Sequence, residues 1–303
     1  MIPYLDADAI RRSLSPSAAV DAITAALRSG LDPAASVART SVPLSHGELL
    51  MMPAEAGGHA GVKLATVAPG NADRGLPRIN AVYALFDSET LQPVALLDGA
   101  ALTTLRTPAV TVAALQPALD RLGALRVVVF GAGPQGHSHA ETLAARYDVA
   151  SLDVVSSQGV RPALRDANVI ICATTSTQPV FDSSELRDDA VVAAIGAHTP
   201  DAREVDAAFC GRATVIVEDP ATALRECGDV VLAIAAGSLT PDRLVPMASV
   251  VRGTYVVPPG PVFYKGSGMS WQDLVIASAV LSHLVPPPSV PPPPIPPIMN
   301  SRS

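Results

Sequence analysis

The sequence predicts an α/β protein in which a Rossmann-type parallel sheet follows a strand-rich α+β segment. Three observations predict this class. A glycine-rich turn lies between an apolar strand and a helix near residue 131, apolar strands alternate with helices over the next 130 residues or so, and short strands separated by turn residues fill 47–98. The 303 residues are about twice the length of a typical domain, which favours two domains.

Composition and charge exclude several functional classes. Apolar residues make up 49% of the chain and the net charge is −7, so a disordered chain or a nucleic-acid or anionic-membrane binder is disfavoured. We expect a cytoplasmic protein, because no signal pattern or spanning apolar run is visible. The three cysteines match no zinc spacing, so we expect reduced, buried thiols and no metal.

The first half of the chain contains one clear helix and several strands. Ser15 and Pro16 begin the helix, Gly30 ends it, and Val20, Ile23 and Leu27 share its apolar face. The runs within 47–98 predict a mostly antiparallel sheet. In the run 61–67, residue alternation places Lys63, one of only two lysines in the chain, on the face opposite its two apolar neighbours, where it meets either solvent or a pocket.

A second helix is expected to start at Pro108. Thr107 would be its N-cap, because proline is favoured at the first helical position and costs ~3 kcal/mol in a helix interior. Arg106 would then lie just before a helix N-terminus, where anionic groups are favoured.

The run VVVFGAGPQG (127–136) is the strongest motif. Gly131, Gly133 and Gly136 form G-x-G-x-x-G directly after a strand and before a helix, the arrangement that binds a dinucleotide pyrophosphate. The acidic residue that normally holds the adenosine ribose is replaced by Ser156 and Ser157, and Arg161 follows closely. This favours NADPH, with NADH also possible.

Eleven residues separate Ser157 from the next apolar strand at Val169, too few for a helix, a strand and their connections. One edge of the sheet should therefore be shortened. Further strands are expected within 152–157, 168–176, 190–198, 213–219 and 255–258. A last helix is expected over 271–284, and the proline-rich tail 285–303 should remain unfolded.

Several short motifs occur together in a specific order. They are LMMP (50–53), GVKLATV (61–67), LTTLRT (102–107), GAGPQG (131–136), AAIGAHTPDAREVD (193–206), VIVED (215–219) and FYKGSGMSWQDL (263–274). Over residues 1–284 this order resembles the ornithine cyclodeaminase/mu-crystallin family, and most of all its bacterial ketimine reductase branch.

The resemblance implies a homodimer and the following domain organisation. Residues 1–117 would form the substrate and dimerisation domain, 118–265 the inserted Rossmann domain, and 266–284 a helix returning to the first domain. It also implies that the substrate is a small α-imino or α-amino acid, reduced or oxidised with NAD(P).

The resemblance also assigns roles to individual residues. Arg39 and Lys63 would hold the substrate carboxylate, and Arg106 would lie between substrate and cofactor phosphate. Met52 and Thr66 would line the pocket, and 265–268 would close over the nicotinamide. The residues expected to bind cofactor are Arg106, Thr107, Gly131, Gly133, Pro134, Gln135, Gly136, Ser156, Ser157, Arg161, Thr174, Lys265, Ser267 and Gly268.

His198 occupies the position where cyclodeaminases carry an aspartate. We therefore expect a reductase of cyclic ketimine carboxylates, with His198 either donating a proton or serving only as a structural hydrogen-bonding group. Three alternatives remain open. They are an alanine-type dehydrogenase, an ornithine cyclodeaminase and a mu-crystallin-like binder of NADP or small molecules without activity.

Overall fold

A computed structural model describes residues 2–157, 159 and 162–284. Arg161 and the proline-rich tail therefore lie outside the described residues. The structure contains a six-stranded and a seven-stranded sheet, with helices packed against both. The predicted α/β class is confirmed.

The first sheet is formed by the N-terminal strands in the order β1-β6-β5-β4-β3-β2. All neighbouring pairs are antiparallel except β1 with β6, which confirms the mostly antiparallel prediction. The elements of this half are β1 (Tyr4–Leu5), α1 (Ala7–Ser13), α2 (Pro16–Arg28), β2 (Thr40–Leu44), β3 (Gly47–Ala56), β4 (His59–Val67), β5 (Ile79–Asp87), β6 (Pro93–Asp98) and α3 (Gly99–Leu119).

Helix α2 begins and ends as the sequence predicts. The Ser15 hydroxyl accepts a hydrogen bond from the Ala18 N–H, and Pro16 is the first helical residue. Val20, Ile23 and Leu27 are fully buried, so the apolar face packs into the core. These local rules suffice because cap, spacing and terminator all lie within 16 residues.

The predicted start of the second helix is wrong. Helix α3 begins at Gly99, with Asp98 as its N-cap, and Pro108 lies inside it. A proline there removes the donor to the carbonyl of Thr104, four residues earlier. The Ser138 hydroxyl on the neighbouring helix donates to that carbonyl instead, at 2.7 Å. The orphaned acceptor is thereby satisfied, and Arg106 lies in the middle of α3 rather than before a helix N-terminus.

The second sheet is entirely parallel and has the order β12-β11-β13-β10-β9-β7-β8. Its elements are β7 (Leu125–Phe130), α4 (Pro134–Arg146), β8 (Val149–Val155), β9 (Val169–Cys172), β10 (Val191–Ala194), α5 (Ala207–Arg212), β11 (Thr214–Val217), α6 (Pro220–Glu226), α7 (Gly228–Ala235), β12 (Leu244–Pro246), α8 (Met247–Val251) and β13 (Val262–Lys265).

Strand β8 is the last strand at one edge of this sheet among the described residues. A short 3-10 turn, Leu164–Asp166, leads from β8 toward β9, which pairs with β7, so the predicted shortening of this edge is confirmed. The strand predicted at 255–258 is wrong. Those residues form no strand, and β13 seven residues later fills the place between β10 and β11.

Helix α9 (Ser270–Leu284) returns from the parallel sheet to the N-terminal elements and packs on α2, α3, β3 and β4. One core cluster therefore includes residues from both halves of the chain. The expected domain boundaries fall in the last turn of α3 and at the end of β13, and the division itself stays a prediction. No helix in the described ranges is both long and apolar enough to cross a membrane.

Candidate active site

A cavity of about 300 Å³ lies between the two sheets. The inner faces of β3, β4 and β5 form one wall, and the loops that follow β9, β10 and β13 form the opposite wall. Helix α3 contributes a third side. Ligands of α/β proteins commonly bind at the carboxyl ends of parallel strands, which is where the second wall lies.

Lys63 projects into this cavity from β4. Its side chain is almost completely buried, and its Nζ donates to Asp273 Oδ2 at 2.8 Å and to Thr103 Oγ1 at 3.2 Å. Burial lowers the pKa of Lys63 from its ordinary value, although the Asp273 carboxylate opposes that shift. The pocket alternative for Lys63, rather than the solvent one, is therefore correct.

Met52 lies beside Lys63 across the strand pair, and both line the cavity. Thr66 does not. Lys63, Ala65 and Val67 line the cavity, and strand alternation turns Thr66 to the opposite face of the sheet. The expectation that Thr66 lines this pocket is therefore wrong.

Arg39 lies where the two halves of the chain meet. Its Nη2 donates to Glu226 Oε2 at 2.7 Å and to the carbonyl oxygens of Ser267 and Gly268 at 3.0 Å. The guanidinium also lines the cavity, together with Lys63. An arginine with one nitrogen anchored and others available can orient a carboxylate.

Arg106 projects from the middle of α3. Its Nη1 donates to Gln272 Oε1 at 2.7 Å, and its Nε lies 3.8 Å from Asp273 Oδ1. A Cβ at Gly268 would lie 2.7 Å from Arg106 Nη2, so glycine is required for this close approach. The cations of Lys63 and Arg106 share the single carboxylate of Asp273, which leaves positive charge for an anionic ligand.

Two buried carboxylates of this region were assigned no role from the sequence. Asp273 is fully buried and pairs with Lys63. Glu218 accepts hydrogen bonds from the backbone N–H groups of Ser267 and Gly268 and from the Gln272 amide. It thereby holds the 266–268 loop over the cavity. The sequence signal for the buried role of Asp273 is the pair of consecutive polar residues, 272 and 273, at the start of an otherwise apolar helix.

The glycine turn has the geometry that a bound dinucleotide needs. Gly131 has φ of +111°, and a Cβ there would lie 2.3 Å from the Ala173 carbonyl oxygen. A Cβ at Gly136 would lie 1.8 Å from the Gly131 carbonyl oxygen, whereas one at Gly133 would meet only open space. Gly133 is also the N-cap of α4 and provides no side-chain cap. No side chain therefore caps the first-turn N–H groups of α4, which leaves them available to an anion such as a pyrophosphate.

A second cavity, of about 340 Å³, lies at the carboxyl ends of β7, β8 and β9. Ser156, Ser157 and Thr174 line it, and Thr174 also lines the first cavity. Of the other expected cofactor residues, Thr107, Gln135, Ser267 and Gly268 line the first cavity, and Pro134 starts α4 beside it. The two cavities share Thr174 and Thr175 in their walls, which suits an elongated ligand.

Lys265 does not reach the cavity. Strand alternation in β13 places Tyr264 on the cavity wall and buries Lys265 completely on the other side. Its Nζ donates to the Ala197 carbonyl and lies 3.2 Å from Asp229 Oδ2. Burial alone would lower the pKa of Lys265, but the acidic groups around it, Asp229 foremost, together outweigh burial and raise the pKa. The expectation that this side chain contacts cofactor is wrong.

His198 lines the cavity and its side chain remains exposed. Its Nδ1 lies 3.2 Å from the Gly196 carbonyl oxygen. Desolvation by the surrounding pocket walls, and then the nearby Arg39 guanidinium, lower the pKa of His198 from its ordinary value. No cluster of three or more metal-ligating side chains occurs within 2–157, 159 and 162–284.

Comparison with known proteins places the chain in a family. The family model for ornithine cyclodeaminase/mu-crystallin proteins matches residues 5–158 and 150–285. The chain belongs to this family. Two relatives are a Delta(1)-pyrroline-2-carboxylate reductase of Burkholderia ambifaria (34% identical, 78% of this chain and 81% of the relative) and the ketimine reductase mu-crystallin of Rattus norvegicus (29%, covering 80% and 83%).

Solved structures of the family have the same fold. A probable ornithine cyclodeaminase from Bordetella pertussis has a TM-score of 0.82 at 29% identity and covers 94% of this chain and 97% of its own. A Thermococcus litoralis Delta(1)-pyrroline-2-carboxylate reductase, solved with NADH and L-proline, has a TM-score of 0.83 at 20% identity, with 93% and 97% covered.

Proposed function

We propose that this protein is an NAD(P)H-dependent reductase of small cyclic ketimine carboxylates, converting 1-pyrroline-2-carboxylate to proline and 1-piperideine-2-carboxylate to pipecolate. The observation that carries the proposal is the buried Lys63, which faces the same cavity as Arg39 and Arg106 and lies across it from the loops of a dinucleotide-binding sheet. The Burkholderia ambifaria relative, at 34% identity, supports it.

The cationic side chains would bind and orient the substrate carboxylate. Lys63 is fixed by Asp273 and Thr103, and Arg39 is fixed by Glu226 and two carbonyls, so neither needs to be ordered when substrate arrives. Fixed, convergent donors cost little entropy on binding and hold the imine carbon in one place. Apolar side chains on β3, β4 and β5 would pack against the ring and exclude water.

A nicotinamide cofactor, when bound, would provide the hydride that the imine carbon accepts. Gly131, Gly133 and Gly136 would hold its pyrophosphate at the start of α4, with Ser156 and Ser157 beside the adenosine ribose. Thr174 and the 266–268 loop would contact the nicotinamide end.

Reduction of a ketimine demands less of the protein than cyclodeamination does. A cyclic imine can arrive already protonated, so no group of the protein must remove a proton from an amine before the hydride is delivered. His198 stands where cyclodeaminases carry an aspartate. Its lowered pKa favours the neutral imidazole, which can accept a hydrogen bond from the imine N–H.

The end of β8 favours NADPH over NADH. Ser156 and Ser157 stand where a carboxylate would repel a 2′-phosphate, and both hydroxyls can donate to one. The proposal therefore includes a preference for NADPH.

A homodimer is proposed from the outer face of the first sheet. Met51, Leu64 and Val82 form one cross-strand row on the face opposite Lys63, and Leu64 is 36% exposed in the single chain. A solvated face of an antiparallel sheet is normally polar, so this apolar face favours packing against a second copy. We further propose a cytoplasmic enzyme of proline metabolism, in line with the buried free thiols of Cys172, Cys210 and Cys227.

A substrate panel tests the proposal. Oxidation of NADPH and NADH would be followed with 1-pyrroline-2-carboxylate, 1-piperideine-2-carboxylate, and pyruvate plus ammonia. The proposal predicts turnover with the cyclic imines, faster with NADPH. Turnover only with pyruvate and ammonia would instead establish an alanine-type dehydrogenase, and cofactor binding without turnover would establish a binding protein.

A further inference from the structure

A buried polar cluster lies behind the cavity wall formed by the loops after β9 and β10. It consists of Glu204, Asp229 and Lys265, each exposed by 1% or less. None of the three lines the cavity, and the chemistry proposed above uses none of them. Buried charged groups lower the stability of a fold unless each has partners, so the contacts of these three side chains indicate what the cluster does.

Glu204 connects the two loops directly. Its Oε1 accepts hydrogen bonds from the Thr174 backbone N–H at 2.6 Å and from the Thr174 hydroxyl at 2.7 Å. Its Oε2 accepts from the Gly196 N–H at 2.7 Å. Thr174 follows β9, Gly196 follows β10, and both line the cavity. One carboxylate thus fixes both loops from behind.

The two loops approach each other too closely for any larger residue. A Cβ at Gly196 would lie 1.9 Å from the Thr174 carbonyl oxygen and 2.7 Å from Glu204 Oε1. The distance between the loops is therefore set by backbone contact together with the Glu204 carboxylate. On the cavity side, the Gly196 carbonyl is the hydrogen-bond partner of His198.

Glu204 is itself held in place by the rest of the cluster. Asp229 Oδ1 accepts from the Glu204 N–H at 2.7 Å, and Asp229 Oδ2 faces Lys265 Nζ at 3.2 Å. Lys265 donates to the carbonyl of Ala197, which follows Gly196 in the same loop. Both ends of this hydrogen-bond network therefore contact the loop after β10, Glu204 at Gly196 and Lys265 at Ala197. Burial raises the pKa of Glu204, which shows the desolvation that its three donors must offset.

We infer that Glu204 is a positioning residue that presets the Thr174 and Gly196 loops as a rigid wall for the nicotinamide end of the cofactor. The inference rests on the proposed function, because it concerns the same cavity. A preset wall lowers the ordering cost of cofactor binding and keeps the ring in register with a substrate held from the opposite sheet.

Glu204→Gln replaces one oxygen of the carboxylate that joins the two loops with an NH2 group. A carboxylate offers two acceptor oxygens, but an amide offers one, so its NH2 group would face either the Gly196 N–H or the Thr174 N–H. Two donors would then oppose each other in a buried place, and one loop must move.

Asp206→Asn is a matched control. Asp206 also accepts three hydrogen bonds, from the Ser183 N–H, the Ser183 hydroxyl and the Phe209 N–H, and it lies two residues from Glu204. It is the N-cap of α5 and does not line the cavity. Replacing the Asp206 carboxylate with an amide should therefore lower the stability of the fold without altering the cavity wall.

The test measures the Kd of NADPH and NADH by fluorescence and, separately, the KM of the imino acid. We expect Glu204→Gln to weaken cofactor binding about 10-fold or more, with the imino-acid KM within about twofold of the parent. Asp206→Asn should keep the cofactor Kd within about twofold at a comparable fall in Tm. Equal weakening in both variants, or none in Glu204→Gln, would overturn the inference.

Amide hydrogen exchange of the unaltered protein provides a second test that needs no variant to fold. A preset wall predicts slow exchange in 173–176 and 195–198 without cofactor. Rapid exchange that slows only on adding NADPH would overturn the inference, as would failure of the protein to bind either nucleotide. Binding without reduction of any imino acid would refute the proposed function alone and leave this comparison valid.

Discussion

Replacing Lys63 with methionine is expected to separate substrate binding from cofactor binding. Methionine keeps most of the volume of the lysine stem but removes the ammonium group that faces the cavity. The change also leaves Asp273 fully buried without the partner that donates to it at 2.8 Å. Two effects must therefore be distinguished, the loss of a contact to substrate and the loss of an internal ion pair.

The magnitudes of the two effects follow from these contacts. A hydrogen bond to a charged group is worth about 1.5–3 kcal/mol, so kcat/KM for the imino acid should fall about 10- to 100-fold. Leaving one member of a buried ion pair alone costs about 3–5 kcal/mol of folding free energy. We expect the lower end, because Arg106 Nε lies 3.8 Å from the other Asp273 oxygen and partly compensates its charge.

A second substitution distinguishes the two effects. In Lys63→Met/Asp273→Asn the orphaned charge is gone, so the free energy of unfolding, measured with urea, should recover most of its loss. The kcat/KM for 1-pyrroline-2-carboxylate should remain low, and the Kd of NADPH should stay within about twofold of the parent throughout. Recovery of kcat/KM in the double variant would refute the reasoning, since Lys63 would then act only by neutralising Asp273.

Three further predictions concern other parts of the chain. Gly133→Ala should leave Tm nearly unchanged but weaken NADPH binding. Gly136→Ala should destabilise the fold, because its Cβ would lie 1.8 Å from a carbonyl oxygen. Equal effects of the two substitutions on Tm would contradict this prediction. Burial lowers the pKa of His139 from 6.5 to about 4, so the unfolded chain takes up the proton first and stability falls as pH drops below 6.5. The loss at pH 5 should be about 2 kcal/mol, and His139→Gln should flatten it in urea unfolding. Ser156→Asp should shift the ratio of kcat/KM values from NADPH toward NADH by about 10-fold or more, because its carboxylate would repel a 2′-phosphate; an unchanged ratio would show that this position does not face the ribose.

Features governed by neighbours in sequence could be predicted from the sequence. The ends of α2, the strand–turn–helix around Gly131 and the shortened edge after β8 all depend on residues close together in the chain. Strand alternation also placed Lys63 on the face opposite Val62 and Leu64, but it left open whether that face meets solvent or a pocket. The same alternation excludes Thr66 from that face, and only the family resemblance suggested otherwise.

Features governed by distant partners could not be predicted. The continuation of α3 through Pro108 is supported by Ser138, which satisfies the carbonyl that Pro108 leaves free. The burial of Lys265 depends on Asp229, and the role proposed for Glu204 depends on loops 30 and 8 residues away along the chain. Local propensity contains no information about such pairings, because each partner gains its role only when the sheet assembles.

The most direct test of the proposed reductase activity is transfer of deuterium from NADPH that carries deuterium at both hydrogen positions of nicotinamide C4. The labelled cofactor would be incubated with the protein and 1-pyrroline-2-carboxylate, and the product analysed by mass spectrometry. The geometry of the site predicts proline with deuterium at C2, formed about 10- to 100-fold less efficiently by Lys63→Met. Unlabelled proline, or no proline while the nucleotide binds, would contradict a reductase that delivers hydride to a carboxylate-anchored imine.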